Sequence, residues 1–538
     1  MATLVPREAY TPDELQRLYP KNLKLQLVQV VSYLTERSGE RTPVSARFQN
    51  VCLNPLTQSS NQVVLLDWPY CGAARRMVQI ASSKEDLSSW SGFQWRRKME
   101  GFGSNDEAVV LTGPGGEVES MCTNGELTDK GRETTYALGT RLRHLYVDQL
   151  GFMPKVKSDT EDMYLRATPI PRALESVQQA FWGMYPPSAR TQNFPPPVVV
   201  ARPVAEETLF PNEGSCRRFR QLARLFADRA ASRWNDSEQM AYLNKLWSQY
   251  MPESSPKVAV DAHPRLSGIM DTINATDAHG PLTRLPSEFY DKKGRAILDR
   301  IAVEEWFAGY NESSEYRKLG IGALMGDVVD RMVSTAVDGG WRSESSASGS
   351  GVEGAGKSIK FAMSGCHDTT LAAILSSVGG FKDESWPPFT SSVAIELFSQ
   401  PAEREDGAGE ILEEVSHPSV AHKSGTLSSL LSGHKPTSVL PSPSENARTP
   451  IASFSDADRE TMRNHFVRIR YNDRPVRLPG CAAKPENHLA GDDTFCTLDA
   501  FKEIVDKFTP QNWQSECASN LGAGLHGPND EYRAPAGF

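Results

Sequence analysis

Two arginines four residues apart stand in a short polar stretch that follows a strongly apolar segment. The stretch reads Arg-Ser-Gly-Glu-Arg-Thr-Pro at positions 37–43, and the apolar segment covers residues 24–31. A guanidinium is a planar fork of N–H donors that stays charged at any working pH, so two of them suit a phosphate dianion. These seven residues alone fit a phosphate pocket and a solvent-exposed Arg/Glu turn about equally well, because short motifs also match by chance.

A second stretch that could do chemistry runs from Ser364 to Leu371 and contains a histidine–aspartate pair, His367 and Asp368. It follows an apolar segment and opens a helical pattern, which predicts a strand-to-helix junction. In an open α/β sheet, ligands bind at the carboxyl ends of strands, and a helix N-terminus adds N–H donors for an anion. Taken alone, Asp368 also fits an ordinary helix N-cap, and His367 fits a loop histidine with a structural hydrogen bond.

Together the two stretches resemble the two signatures of the histidine acid phosphatases, Arg-His-Gly-x-Arg-x-Pro and a His-Asp pair followed by threonine. The resemblance runs in order from about residue 24 to residue 517, and the lysophosphatidic-acid-type members are the most similar subgroup. The other matching stretches are Leu127-Thr128 with Gly131, Arg166-Ala167-Thr168 with Arg172, Glu175 and Ser176, Trp386 to Phe389, and Asn472-Asp473 with Pro479 to Cys481.

The resemblance implies hydrolysis of small-molecule or lipid phosphate monoesters through a phosphohistidine, with no metal or cofactor. Carried over by motif, the phosphate binders are Arg37, Arg41, Arg166 and His367, and Asp368 is the general acid. Preorganised cations stabilise charge on the transferring phosphoryl group, and a carboxyl that protonates the leaving alkoxide contributes about 10²–10⁴ in rate. A phosphomutase or kinase-like member of the wider superfamily fits less well, because both signatures are of the acid-phosphatase kind.

Ser38 stands where the family has its nucleophilic histidine, and five further residues, Ser32 to Glu36, separate the signature from the apolar segment. A serine hydroxyl needs an adjacent base to become a nucleophile, and the neighbouring sequence offers none. Three explanations are open: a phosphate-pocket pseudoenzyme with a binding or regulatory role, a weakened phosphatase, or a segment from Val31 to Ser38 that differs from the natural translated sequence. We favour the third, because one misplaced exon boundary would explain both departures.

Three strand–turn–helix units are predicted to position these stretches. They begin with strands at 24–31, 162–165 and 359–363, and helices follow from Pro171 and Leu371 in the second and third units. Such repeats predict an α/β fold with a mostly parallel sheet covered by helices on both faces, plus an inserted helical cap domain. Two later strands, at 393–398 and 466–471, are predicted to pair with each other.

The predicted organisation divides the chain into core segments and insertions. In the family, the cap usually determines which substrate binds, so the motifs do not identify the substrate. The sequence also does not indicate the oligomeric state. The segments are a polar lead-in (1–23), a first core part (24–185) with an insertion (44–120), a helical cap (186–338), a flexible linker (339–357), a second core part (358–399), a disordered insertion (400–456), a C-terminal core part (457–520) and a tail (521–538).

Composition excludes several classes of function. The 538 residues are 39% hydrophobic, which is enough for a sizeable core. The net charge is −9, and no basic tract suggests binding to nucleic acid. No apolar run reaches the roughly 18 residues of an integral membrane segment. Residues 1–22 lack an apolar signal region, so we expect a cytoplasmic protein whose eight cysteines are reduced, although Cys481, Cys496 and Cys517 could pair in an oxidising compartment.

A P-loop pattern, Gly-Val-Glu-Gly-Ala-Gly-Lys-Ser at positions 351–358, is interpreted as a chance match. A P-loop follows a strand and opens a helix, whereas this stretch follows a Ser/Gly-rich linker and precedes a predicted strand.

Overall fold

A computed structural model describes residues 3–4, 9–33, 71–73, 98–99, 109–110, 122, 125–279, 284–342, 357–401, 449–525 and 535–538. The stretch at 37–43, nearly all of the predicted insertion at 44–120, and most of the predicted linker and disordered insertion lie outside these residues. Residues 449–456 are described, however, and they form a 3₁₀ turn at Ile451–Ser453 and the start of a helix at Asp456. The predicted disordered insertion therefore extends too far toward the C-terminus.

The strands of the described chain form a nine-stranded sheet and a separate two-stranded ladder. In chain order they are β1 (Lys24–Tyr33), β2 (Lys98–Met99), β3 (Val109–Val110), β4 (Met163–Ala167), β5 (Val199–Val200), β6 (Phe361–Cys366), β7 (Ser392–Ser399), β8 (His465–Tyr471), β9 (Arg474–Val476), β10 (His488–Leu489) and β11 (Asp492–Thr497).

The main sheet has the order β10-β11-β8-β7-β1-β6-β4-β5, and β9 pairs with β8. β1, β6, β4 and β5 run parallel to one another. β7 pairs antiparallel with β1, and the pairs among β7, β8, β9, β10 and β11 are also antiparallel. The predicted α/β class and the predicted pairing of the two later strands are confirmed. The sheet is nevertheless mixed rather than mostly parallel, because an apolar run predicts a strand but not the direction in which its connections cross the sheet.

Helices cover both faces of this sheet. Alternate side chains of β1 enter different apolar clusters, Leu27 and Val31 on one face and Val28 and Val30 on the other. The described helices are α1 (Pro12–Leu18), α2 (Asp129–Arg143), α3 (Pro171–Met184), α4 (Arg217–Trp234), α5 (Glu238–Trp247), α6 (Leu266–Ala278), α7 (Lys292–Glu312), α8 (Ser314–Arg317), α9 (Ala323–Ala336), α10 (Asp368–Ser377), α11 (Asp456–Arg463), α12 (Pro479–Ala482), α13 (Leu498–Asp506) and α14 (Trp513–Cys517).

Local sequence signals set several helix boundaries. The Thr128 hydroxyl accepts a hydrogen bond from the Gly131 amide at 3.2 Å and caps α2. Pro171 occupies the first turn of α3, where its missing N–H costs nothing. A π-helical turn, His144–Gln149, continues α2, and another at Lys318–Gly322 joins α8 to α9. None of the helices within the described ranges is both long and apolar enough to cross a membrane.

The chain from Arg217 to Ala336 is helical wherever it has regular structure among the described residues. Part of it packs around its own apolar cluster, which includes Trp247 and Phe289 with stacked rings 5.6 Å apart. This matches the helicity predicted for the cap, and the domain boundaries remain a prediction.

Disulfides correct the expectation of reduced thiols. The structure pairs six cysteines, and among the described ones Cys366 is unpaired. Sequence spacing gave no sign of the pairing, since one bond joins residues 301 positions apart that only the tertiary fold brings together. The bonds are Cys71–Cys122, Cys216–Cys517 and Cys481–Cys496.

Candidate functional site

The candidate site lies where three parallel strands end at the same edge of the sheet. In the ladder Tyr33 at the described end of β1 is opposite Cys366 at the end of β6, and Ala167 at the end of β4 is opposite Gly365. As predicted, β6 then passes directly into α10, with His367 as the N-cap residue and Asp368 as the first helical residue. The amides of the α10 N-terminus thus open toward this edge.

His367 is nearly enclosed, with 9% of its surface exposed. Its Nε2 lies 3.3 Å from the hydroxyl of Thr168, which directly follows β4. The His367 and Phe210 rings are T-shaped to each other, with a centroid distance of 5.8 Å. The loop that carries Phe210 is tied to α10 because the Thr370 hydroxyl donates to the Leu209 carbonyl at 2.6 Å. Side chains from two other segments, Thr168 and Phe210, therefore contact the imidazole, and α10 anchors the loop that carries Phe210.

Both carboxylate oxygens of Asp368 accept hydrogen bonds. Oδ1 accepts from the backbone N–H of Thr369 at 2.8 Å, and Oδ2 accepts from the indole N–H of Trp386 at 2.9 Å. The Trp386 amide in turn donates to Asp299 on α7 at 3.0 Å. The carboxyl plane of Asp368 is thus set by its own helix and by the segment before β7.

Arg166, at the end of β4, is completely buried, and its nearest acceptor is a carboxylate of the protein. Its Nη2 donates to Glu207, which is also completely buried, at 2.6 Å and to the hydroxyl of Thr208 at 3.0 Å. Its Nη1 lies 3.7 Å from Asp327. Nε and Nη1 of Arg166 have no hydrogen-bond partner among the described residues, and its direct contact with phosphate stays a prediction.

The cluster around Arg166 continues into the sheet face beneath the site. Asp327 on α9 accepts from Arg202 at 2.8 Å, and Arg331 donates to Gln29 of β1 at 3.3 Å. Burial alone would raise the pKa of Asp327, but Arg202, Arg331 and Arg166 outweigh burial and lower it. Asp327 is therefore held as a carboxylate, and the ion network joins β1, β4 and α9 behind the edge.

Cys366, which is unpaired among the described cysteines, directly precedes the pair, but its surroundings make it a poor nucleophile. Its Sγ donates to the Ser32 carbonyl at 3.3 Å, and burial raises the pKa of the thiol. The thiolate is the reactive form of cysteine, so a buried protonated thiol acts as part of the core.

Of the predicted site residues, the structure brings His367, Asp368 and Arg166 to one edge of the sheet, whereas Arg37, Ser38 and Arg41 lie outside the described residues. The contacts of Thr168 and Trp386 were not predicted, although both residues stand in stretches that carried the resemblance. Glu207, Thr208 and Phe210 gave no sequence signal, because their partners are distant in sequence and no motif marks them. In the P-loop pattern, Lys357 pairs with Asp159 at 2.8 Å, and positions 351–356 lie outside the described residues.

Comparison with known proteins gives concordant results. Residues 24–409 match the family model described as histidine phosphatase superfamily (branch 2). The chain is 34% identical over 512 residues to a probable acid phosphatase of Schizosaccharomyces pombe, covering 94% of this chain and 96% of that protein. It is 26% identical over 277 residues to human lysophosphatidic acid phosphatase type 6, covering 51% of this chain but only 57% of that protein.

Among solved structures, the chain is similar to the Bifidobacterium longum multiple inositol polyphosphate phosphatase in complex with inositol hexasulfate. The TM-score is 0.49 with 11% identity, over 94% of this chain and 97% of that one. The family-model match covers well over half of the chain, and the S. pombe relative is aligned over almost its full length. This chain therefore belongs to branch 2 of the histidine phosphatase superfamily.

Proposed function

We propose that this chain binds phosphate monoesters at the edge formed by β1, β4 and β6, and that its scaffold is built to hydrolyse them. The observation that carries the proposal is the His367–Asp368 pair at the N-terminus of α10, with each side chain held by a partner from another segment. Helix N-terminal amides suit a phosphate, and a fixed carboxyl beside them suits proton transfer to a leaving oxygen.

The roles in this proposal follow the chemistry of phosphoryl transfer. His367 donates a hydrogen bond to a phosphate oxygen. In the family's chemistry, which Ser38→His would restore, an unprotonated imidazole nitrogen at position 38 attacks phosphorus with its own lone pair, so this step needs no further base. The bond from phosphorus to the leaving oxygen breaks, its electron pair stays on that oxygen, and the Asp368 carboxyl supplies the proton. Water then releases phosphate from residue 38, with Asp368 accepting the proton in return.

Arg37 and Arg41 are proposed as the cationic clamp. The described part of β1 ends at this edge at Tyr33, four residues before Arg37, and four residues span at most roughly 14 Å. Arg166 is proposed to hold the Glu207 loop and to contact the phosphate. Arg172, half-buried in the first turn of α3 on the same edge, is a further candidate arginine for the phosphate.

The register of β1 bears on the missing histidine. Ser32 and Tyr33, two of the five extra residues, are part of β1 and lie opposite Gly365 and Cys366. Removing Ser32–Glu36 would join Arg37 to Val31 and move positions 37 and 38 into those two ladder positions, directly beside the His367 junction. This supports the hypothesis that the segment from Val31 to Ser38 departs from the natural sequence.

The alternative to an enzyme is a pseudoenzyme that binds phosphate in the same pocket without turnover. Ser38 at the position of the family nucleophile favours this alternative. Substrate class is proposed from the relatives' names alone: phosphate monoesters in general, and lipid phosphates in particular.

The three disulfides favour folding in an oxidising compartment over the predicted cytoplasm, since such bonds rarely persist in the cytosol.

The test is phosphatase activity from pH 4 to 8 toward an alkyl phosphate, glycerol phosphate, because its alkoxide leaving group needs the proton that Asp368 supplies. It compares the chain as written, its Asp368→Asn form, and a restored variant in which Ser32–Glu36 is deleted and Ser38→His is introduced. Phosphate binding is measured in parallel by calorimetry with inorganic phosphate. We expect the restored variant to turn over and Asp368→Asn in that background to lose about 10²–10⁴ in kcat.

The outcomes separate the two functions. If the chain as written hydrolyses the ester and its Asp368→Asn form does not, the protein is a phosphatase that works without the family nucleophile. Phosphate binding without turnover in the chain as written, with turnover after restoration, would establish a pseudoenzyme on a phosphatase scaffold. If the restored variant folds but neither binds nor hydrolyses, the proposed site is refuted.

A further inference from the structure

We propose that Trp386 is a positioning residue for the general acid: its indole N–H orients the Asp368 carboxyl and stabilises the carboxylate that forms when the proton leaves. This inference rests on the proposed function, because it assigns a role to Asp368 in catalysis. The observation behind it is the 2.9 Å hydrogen bond from the indole Nε1 to Oδ2, the oxygen that the α10 amide does not engage.

The direction of the hydrogen bond decides what it can do. An indole N–H only donates, so Trp386 neither removes nor supplies the transferred proton. Hydrogen bonds to ionised acceptors are roughly twice as strong as those between neutral groups. The bond to Asp368 therefore strengthens as the P–O bond breaks and the proton moves to the leaving oxygen, and such an interaction raises the rate of the chemical step.

The Trp386 side chain is itself fixed by helix α7. Its amide donates to Asp299, its ring lies 4.9 Å from the Phe307 ring, and the Trp306 ring meets it edge-on at 6.0 Å. All three partners belong to α7, which lies in the predicted cap. The helical segment that was expected to bind substrate thus also sets the orientation of the proposed acid.

Trp306 provides a matched control for this inference. It is a tryptophan in the same aromatic cluster, but its indole Nε1 has no hydrogen-bond acceptor among the described residues. Trp386→Phe and Trp306→Phe each remove one indole N–H and keep an aromatic ring in the cluster. A difference between the two variants therefore reports on the hydrogen bond to Asp368 and not on packing.

The kinetic test compares two leaving groups, an aryl phosphate and an alkyl phosphate such as glycerol phosphate. An aryloxide leaves with little help from a proton, whereas an alkoxide needs one. We expect Trp386→Phe to lower kcat/KM by about 10- to 100-fold for the alkyl ester, the equivalent of one hydrogen bond to a charged group, and by less than about 3-fold for the aryl ester. The comparison uses kcat/KM because kcat also includes the later water step, which both esters share. Trp306→Phe should leave the ratio of the two rates unchanged.

A spectroscopic measurement tests the hydrogen bond between Trp386 and Asp368 without depending on enzyme activity. In protein labelled with ¹⁵N at the indole, the Trp386 N–H signal is assigned by its loss in Trp386→Phe and followed from pH 3 to 8. We expect it to shift with the protonation of Asp368 and to lose that shift in Asp368→Asn. The kinetic arm uses the chain as written where it turns over, and otherwise the restored variant.

The possible results are distinct. A Trp386 signal that does not respond to Asp368→Asn, or equal rate losses for both esters, would overturn the positioning role. A responsive signal in a chain that hydrolyses neither ester, restored or not, would leave the contact in place and refute the proposed phosphatase function instead.

Discussion

Replacing Glu207 by glutamine should destabilise the protein strongly, because it leaves a buried guanidinium without its main counter-charge. Glu207 and Arg166 are both 0% exposed. Oε1 of Glu207 accepts from Arg166 at 2.6 Å and from the amides of Thr208 and Leu209 at 2.8 and 2.7 Å. Glutamine keeps an acceptor oxygen for these three donors, so the substitution removes the negative charge and not the hydrogen bonds.

Removing one partner of a buried ion pair typically costs about 3–5 kcal/mol. Asp327, 3.7 Å from the other terminal nitrogen of Arg166, remains and offsets part of that loss, so we expect about 3 kcal/mol. Removing both charges, in Arg166→Met with Glu207→Leu, should cost less than Glu207→Gln alone, because an apolar pair leaves no unpaired charge.

Urea unfolding at pH 7 measures these differences, and the surface pair Arg229–Glu312 is the matched control. Its two hydrogen bonds, at 2.6 and 2.8 Å, have comparable geometry, but its side chains are 36% and 45% exposed. Glu312→Gln should therefore cost only about 0–1 kcal/mol. The reasoning is refuted if Glu207→Gln costs no more than Glu312→Gln.

Three further predictions concern stability. Replacing Cys216 and Cys517 together by alanine should lower the unfolding free energy by about 2–4 kcal/mol, since the bond closes a loop across 301 positions, and an unchanged urea midpoint would contradict this. Burial alone would raise the pKa of Glu396, but two buried arginines outweigh it and lower the pKa to about 2, so stability should be constant above about pH 4.5 and fall by roughly 3 kcal/mol toward pH 2. Urea midpoints at pH 5, 4 and 3 test that acid loss, and Glu396→Gln should remove only the part that Glu396 contributes, because Asp327 also has a lowered pKa. Gly139→Ala would place a Cβ 2.0 Å from a backbone oxygen of α3 and should cost about 1–3 kcal/mol or more in thermal unfolding, whereas Gly214→Ala, 3.5 Å from its nearest neighbour, should change little.

Much of the fold was predictable from local patterns. The strand and helix around His367, the N-cap at Thr128 and the first turn at Pro171 all follow from apolar periodicity and capping, which depend on residues only a few positions apart. The α/β class followed from three such units in a row. The predicted end of β1 was two residues short, because Ser32 and Tyr33 gain their strand partners from β6 and β7.

The family, most of the longer strands and the position of the His367–Asp368 pair at a strand end could be predicted from the sequence, because each depends on residues close together in the chain. The strands β5, β9, β10 and β11 were not predicted. Three contacts became visible only in the folded chain: Arg166 with Glu207, Trp386 with Asp368, and the bond between Cys216 and Cys517. These contacts join residues that are 41, 18 and 301 positions apart. Which distant groups meet depends on how the strands and helices pack, and no local pattern encodes that packing.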